Sequence, residues 1–229
     1  MEKQLIQHLK DLVSINSVNP DLSELGQGEK QIAEFVHNHF MQLNIDSKVH
    51  IIKGDRCNAT AFLSGENPEK ILLLNGHLDT VGIEKMQDPF LVKSDGDRLY
   101  GRGTYDMLAG CAIQMALATF FSKNSCPISL AFTFVADEEN MSLGMEHLVE
   151  NYLPSLPSKP FLGTFMEPTE EVIGISHKGY TWYELKIEGL AAHGSRPEQG
   201  INAIFPMEFA LAELSKINEE LLHAEPHPH

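Results

Sequence analysis

Three acidic clusters in this sequence each follow an apolar run. Asn75-Gly76-His77-Leu78-Asp79 follows Ile71-Leu72-Leu73-Leu74. Asp137-Glu138-Glu139 follows the run Ile128 to Ala136, and Glu167-Pro168-Thr169 follows Phe161 to Met166. A carboxylate beside buried apolar chain is costly unless it has a partner. In an extended segment His77 and Asp79 point to the same side. Asp79 can then accept the free imidazole N–H of His77, the contact that fixes the tautomer of a metal-bound histidine. Asp106, after the turn Gly101-Arg102-Gly103, can join the set. One histidine plus carboxylates, with no thiolate, suits Zn²⁺, Co²⁺ or Mn²⁺ better than a structural zinc site. A carboxylate bridging two cations would suit a two-metal hydrolase.

Taken singly, these pieces say little. A lone His-x-Asp is usually a capped turn, and paired glutamates usually lie in a solvated loop. Gly101-Arg102-Gly103 lacks the third glycine of a dinucleotide fingerprint. Their shared placement after apolar runs is the stronger signal. In an open α/β sheet, ligands bind outside the carboxyl ends of the strands. The elements must therefore bring three such ends together.

The periodicities predict those elements. Leu5, Ile6, Leu9, Leu12 and Val13 recur at helical spacing, as do Ile32, Phe35, Val36, Phe40 and Leu43. Strands are expected at Lys48–Ile52 and Ala59–Leu63. Ile71–Leu74, Ile128–Ala136 and Phe161–Met166 read as strands covered on both faces. Met107–Phe121 reads as a buried helix, and Leu143–Leu153 as a helix ended by Pro154 and Pro157. Alternating strands and helices predict an α/β fold with a mostly parallel sheet flanked by helices. The texture changes near residue 175. Thr181–Glu188 suits a half-exposed antiparallel strand, and Ile201–Leu222 a long amphipathic helix. A boundary is expected between Val172 and Lys178, giving a metal-binding catalytic domain at 1–174 and a second domain at 175–229.

The 229 residues carry a net charge of −15, which argues against nucleic acid and against anionic membrane surfaces. The hydrophobic fraction of 42% is too high for a disordered chain. Cys57, Cys111 and Cys126 are too scattered for a disulfide framework and read as free thiols. The polar N-terminal stretch is not expected to act as a secretory signal, and no run of roughly 18 apolar residues occurs in the sequence. A cytoplasmic protein is expected.

The motifs together resemble the co-catalytic zinc hydrolases. That family includes acetylornithine deacetylase, succinyl-diaminopimelate desuccinylase, aminoacylase and carboxypeptidase G. The resemblance rests on Gly76-His77-Leu78-Asp79-Thr80-Val81, Gly101 to Met107, Asp137-Glu138-Glu139 and Glu167-Pro168-Thr169, in the family's order. Ala191-Ala192-His193-Gly194-Ser195-Arg196-Pro197 resembles the signature of its inserted α+β dimerisation, or lid, domain.

The resemblance implies a zinc-exopeptidase-like catalytic domain and two divalent ions, zinc first, with cobalt or manganese as substitutes. It implies that His77, Asp106 and Glu167 hold one metal and that Asp106 bridges to a second, held also by Glu139. Asp79 would orient His77, and Glu138 would be the general base. His193 would reach the partner subunit's site in a homodimer. The implied substrate is a small N-acylated amino acid or a short peptide. The sequence departs from the family in carrying Leu108-Ala109 after Asp106-Met107. It also stops in the first long helix of the lid, before the family's final histidine ligand. His223, His227 and His229 lie in the wrong place for that ligand. The resemblance therefore implies an incomplete lid and an incomplete second metal site, and it leaves two alternatives beside the deacylase: a dipeptidase or carboxypeptidase of the same family, or an inactive truncated fragment or pseudoenzyme.

Overall fold

A computed structural model describes residues 2–177, 179 and 183–225. The backbone divides into two compact units between Glu171 and Val172. The first holds four helices, α1 (Glu2–Val13), α2 (Lys30–Gln42), α3 (Leu108–Phe121) and α4 (Leu143–His147). Its strands are β1 (Asp46–Lys53), β2 (Arg56–Leu63), β3 (Asn67–His77), β4 (Lys93–Asp95), β5 (Arg98–Tyr100), β6 (Ile128–Val135) and β7 (Leu162–Phe165). The main sheet runs in the order β1-β2-β6-β3-β7. β6, β3 and β7 are parallel, whereas β1 and β2 are added antiparallel.

The strand pattern decides what each face meets. Alternate residues of a strand point to opposite faces. Ala59, Ala61, Leu74, Leu130, Phe132 and Phe134 join one apolar cluster with Leu9, Leu12, Ile32, Val36, Phe40 and Met115 of α1, α2 and α3. Ile71, Leu73 and Ala131 join a smaller cluster with Phe62, Leu153 and Leu156. β6 lies in the middle of the sheet, so both of its faces are covered. Phe132 and Phe134 are fully buried and pack against Phe40, with ring centroids 5.1 and 5.8 Å away. Each such side chain contributes roughly 1.5–3 kcal/mol by burial.

α3 is apolar around most of its circumference, as a helix packed on several sides must be. Gly110, Ala112, Ala116 and Ala118 let it lie close to its neighbours; a Cβ on Gly110 would stand 2.6 Å from the Met166 carbonyl oxygen. The helix expected at Leu143–Leu153 is a helical path of three pitches. After α4 it widens into a π-helical turn, Leu148–Tyr152, and tightens into a 3₁₀ turn, Leu153–Ser155, where Pro154 ends it.

Ahead of Asp106, β4 and β5 form a two-stranded hairpin about Gly96, at φ +61°. One expectation about the sheet needs correction. β7 is not a buried strand. It pairs only with β3 among the described residues, and Phe161, Leu162 and Phe165 are more than half exposed. An edge strand packed along one side cannot hide an apolar run on both.

The second unit runs from Val172. It contains a bridge between Leu190 and Ile201, a 3₁₀ turn at Pro197–Gln199 and the helix α5 (Ile204–His223). The strand expected at Thr181–Glu188 is not formed over residues 183–188. Lys178, Tyr180, Thr181 and Trp182 lie outside the described residues. No described helix is long and apolar enough to cross a membrane.

Candidate metal centre

The parallel half of the sheet assembles the centre. His77, the last residue of β3, pairs with Val135, the last of β6. Asn75 pairs with Phe165 at the end of β7, and the Met166 N–H donates to the Asn75 carbonyl at 3.0 Å. Asp137–Glu139 and Glu167 therefore leave the sheet beside His77. Asp106 comes from the turn ahead of α3, which is tied down by the Leu108 N–H donating to the Gly103 carbonyl at 2.9 Å.

His77 is buried, and its Nε2 faces out into a ring of carboxylates. Asp106 Oδ1 lies 3.1 Å away, and Glu138 Oε2 and Glu167 Oε1 each lie 3.8 Å away. One ligand atom from each of His77, Asp106 and Glu167 falls within 4.8 Å of the others. Among the described residues, this is the one group of His, Cys, Asp and Glu side chains with that closeness.

The electrostatics of the ring fit a cation. Burial alone would lower the His77 pKa, but hydrogen bonds and charges from Asp106, Asp79 and Glu167 raise it to about 11. Burial, then the repulsion of Asp106, lifts Glu139 to about 7. Burial, then Glu138, Asp106 and Asp79 against the pull of His77, lifts Glu167 to about 7. These carboxylates crowd one another in a half-desolvated mouth. A divalent ion in place of the His77 proton would relieve that repulsion.

Asp79 works differently from the sequence expectation. Its carboxylate stands 3.5 Å from His77 Nδ1, but the nearer partner of Nδ1 is the Asp79 carbonyl, at 2.9 Å. The Asp79 carboxylate instead accepts the Glu138 N–H at 3.0 Å, the Glu139 N–H at 3.2 Å and Asn19 Nδ2 at 2.8 Å. Burial works to raise its pKa, but His77 and these donors hold it below the usual carboxylate range. Asp79 thus holds the histidine through its carbonyl and the acidic pair through its buried carboxylate.

Sequence reasoning missed the residues behind Asp79. Asn19 arrives because residues 17–19 lie along the segment after His77: Val18 bridges to Thr80, and the Asn19 N–H donates to the Thr80 carbonyl at 2.9 Å. Asn19 Nδ2 also reaches Asp137 Oδ1 at 3.0 Å. Arg56 Nη1 donates to Asn19 Oδ1 at 2.8 Å, and Arg56 Nη2 is paired with Asp137. Arg56 Nε lies 3.1 Å from Glu29 Oε2, and Arg56, Glu29 and Asp137 are all buried. The one sequence signal was a charged residue just ahead of the strand-like run Ala59–Leu63.

Burial and then the charge of Asp79 raise Glu29 to about 8, against the pull of Arg56. The unfolded chain releases this proton near pH 4.5, the ordinary value, and the folded chain keeps it to about 8. Between those pH values the unfolded state binds fewer protons, so stability falls as pH rises. Urea unfolding of Glu29→Gln across pH 5–8 is expected to show a shallower decline. The loss is about one proton's worth, ~1.4 kcal/mol per pH unit. An unchanged slope would contradict the assignment.

Cys111 lies beneath the centre, and its Sγ donates to the His77 carbonyl at 3.2 Å. Burial pushes its thiol up. His193 stands in the second unit, exposed, with Nδ1 2.8 Å from Ser195 Oγ and accepting the Ser195 N–H at 3.3 Å. His223 is paired with Glu219 at 3.8 Å, and His227 and His229 lie outside the described residues.

Residues 73–224, a stretch that includes every residue of the carboxylate ring, match the profile of Peptidase family M20/M25/M40. The chain belongs to this family. Within M20/M25/M40, it is 30% identical over 225 residues to an acetylornithine deacetylase of Vibrio atlanticus, covering 96% of this chain and 57% of that protein. It is 31% identical over 221 residues to an uncharacterized metallohydrolase of Methanocaldococcus jannaschii, covering 88% and 53%. The chain thus spans a little over half the length of these relatives. Among solved structures, a Staphylococcus aureus tripeptidase superposes with a TM-score of 0.64 at 19% identity, over 93% of this chain and 56% of that one. Human carnosine dipeptidase 1 gives 0.64 at 18%, over 72% and 38%. At those identities the likeness is one of fold.

Proposed function

We propose that the protein is an amide hydrolase acting on small N-acylated amino acids, of the acetylornithine deacetylase type. The observation that carries this reading is the convergence of Asp106, Glu138 and Glu167 on one buried imidazole nitrogen. The identity to acetylornithine deacetylases supports the substrate class. His77, Asp106 and Glu167 would hold one divalent ion, zinc in the first instance, and Asp106 and Glu139 a second. When bound, such ions polarise an amide carbonyl and acidify a water.

The chain's own groups do the rest. Asp79 fixes the imidazole and the backbone of the acidic pair. Glu138, in the mouth of the centre, would take the proton of the attacking water and return it to the leaving amine. The carboxylate ring repels anions, so the acyl-amino acid would enter once cations balance it. His193 would act across a homodimer formed through the second unit, and exposed Phe205, Phe209 and Leu221 on α5 support such pairing.

The test is release of free amine by zinc- or cobalt-loaded protein from N-acetylornithine, other N-acetyl amino acids and dipeptides. Amine release from the N-acetyl amino acids is the expected result. Cleavage of dipeptides alone would move the assignment to a dipeptidase. No release from any substrate, with two ions bound per chain, would overturn it.

A further inference from the structure

The Glu138–Glu139 pair leaves β6 through an unusual piece of backbone. Asp137 has φ +64°, in the left-handed region that Asp tolerates better than most residues but at a cost. Something must hold it there. The Asp137 carbonyl accepts the Ser142 N–H at 2.6 Å, and its carboxylate accepts the Leu143 N–H at 3.3 Å. Gly144 follows, and a Cβ there would stand 2.4 Å from the Ala136 backbone. The other Asp137 oxygen faces Asn19 Nδ2 and the Arg56 guanidinium. Asn58 closes the far side: its Oδ1 accepts the Ala136 N–H at 2.9 Å, and its Nδ2 donates to the Gly144 carbonyl at 2.8 Å.

We propose that Arg56, acting through Asn19 and Asp137, is the positioning residue that aims the Glu138–Glu139 pair at the metal centre. The chain of contacts is continuous. The guanidinium fork engages the Asp137 carboxylate and the Asn19 side-chain oxygen Oδ1 together. That fixes the Asn19 amide, which then has one nitrogen to share between Asp79 and Asp137. Asp79, so anchored, receives the N–H groups of Glu138 and Glu139. A lysine at 56 carries the charge but cannot present a planar fork to two acceptors at once. Asp21 and Glu29 are the other acids facing the guanidinium, at 3.3 and 3.1 Å. Asp21 holds Arg56, and Glu29 both holds Arg56 and meets the Asp137 backbone, so it braces the same turn from behind.

This role rests on the metal-centre reading above, and its test separates the two. Amide hydrogen exchange of the full chain is read residue by residue for the natural sequence, Arg56→Lys and Asn19→Ser. In both variants, exchange at Glu138 and Glu139 is expected to speed by about tenfold or more. Leu130 to Phe134 in β6 should keep their protection. Loaded with Co²⁺, Asn19→Ser should show a shifted visible spectrum. Against an N-acetyl amino acid that the natural sequence hydrolyses, its kcat should fall at least about tenfold with KM within threefold. Asn19→Ser leaves Arg56 paired with Asp137 and Glu29, so it serves if Arg56→Lys fails to fold. Unchanged exchange at 138 and 139, or a uniform loss of protection through β6, would overturn the positioning role while leaving the metal centre standing. Failure of the natural sequence to bind Co²⁺ would overturn the metal-centre reading, and this role with it.

Discussion

Zinc binding to this chain is expected to release protons, and its apparent affinity to rise about tenfold per pH unit for each proton displaced. In the cation-free centre the carboxylates around His77 hold a proton on its ring to about pH 11. A metal ligand must be neutral imidazole, so proton and metal compete for the same nitrogen. Raising pH therefore favours the metal. Below about pH 7, Glu139 and Glu167 also carry protons that an ion would expel, so the dependence is steeper there. Above pH 7 it should flatten towards a single proton. Competition against a chromophoric chelator from pH 5.5 to 8.5 reads the slope, and calorimetry in buffers of different ionisation heat counts the protons. Binding should also stabilise the fold, by about 2.7 kcal/mol at a free-ion level 100 times the Kd. His77→Ala removes the group's sole nitrogen ligand and should abolish both effects. A pH-independent affinity would contradict this account.

Replacing Glu138 by alanine in the metal-loaded protein is expected to lower the proposed amide turnover by about 10²- to 10⁴-fold, the range for a lost general base. The geometry separates this effect from metal loss. Glu138 lies outside the group with ligand-like closeness, which is His77, Asp106 and Glu167. Metal content should therefore hold in Glu138→Ala while kcat falls. Glu138→Gln, which keeps the shape and loses the basicity, should fall as far. Glu139→Ala should instead lose the second ion. Metal analysis beside initial rates checks all three, and Glu138→Gln with near-normal rates would remove the proposed base.

Much of this centre is legible in the amino-acid sequence. Ile71–Leu74 and Ile128–Ala136 are apolar beyond what a surface strand tolerates, and each runs straight into acids. Parallel neighbours then bring those acids together, because parallel strands share a carboxyl edge. What stays hidden depends on pairing at long range. Arg56 and Asp137 are distant in sequence and meet only because β2 pairs with β6. Asn19 sits in a segment that reads as an ordinary turn, yet it is fully buried. The period of two places Asp79 on the side of His77, but cannot foresee the Glu138 and Glu139 amides as stronger claims on its carboxylate. β4 and β5, with three residues each, are too short to show a period.

The buried thiols have a practical consequence. Cys57 lies on β2, Cys111 under His77 and Cys126 just before β6, and all three are free and inaccessible. An alkylating reagent can reach them only when the surrounding structure opens. Their labelling rates therefore form a built-in clock for the first unit, with one hand under the metal centre, one in β2 and one just ahead of β6. Comparing the hands with and without a bound ion would show whether the centre opens alone or only when the whole sheet does.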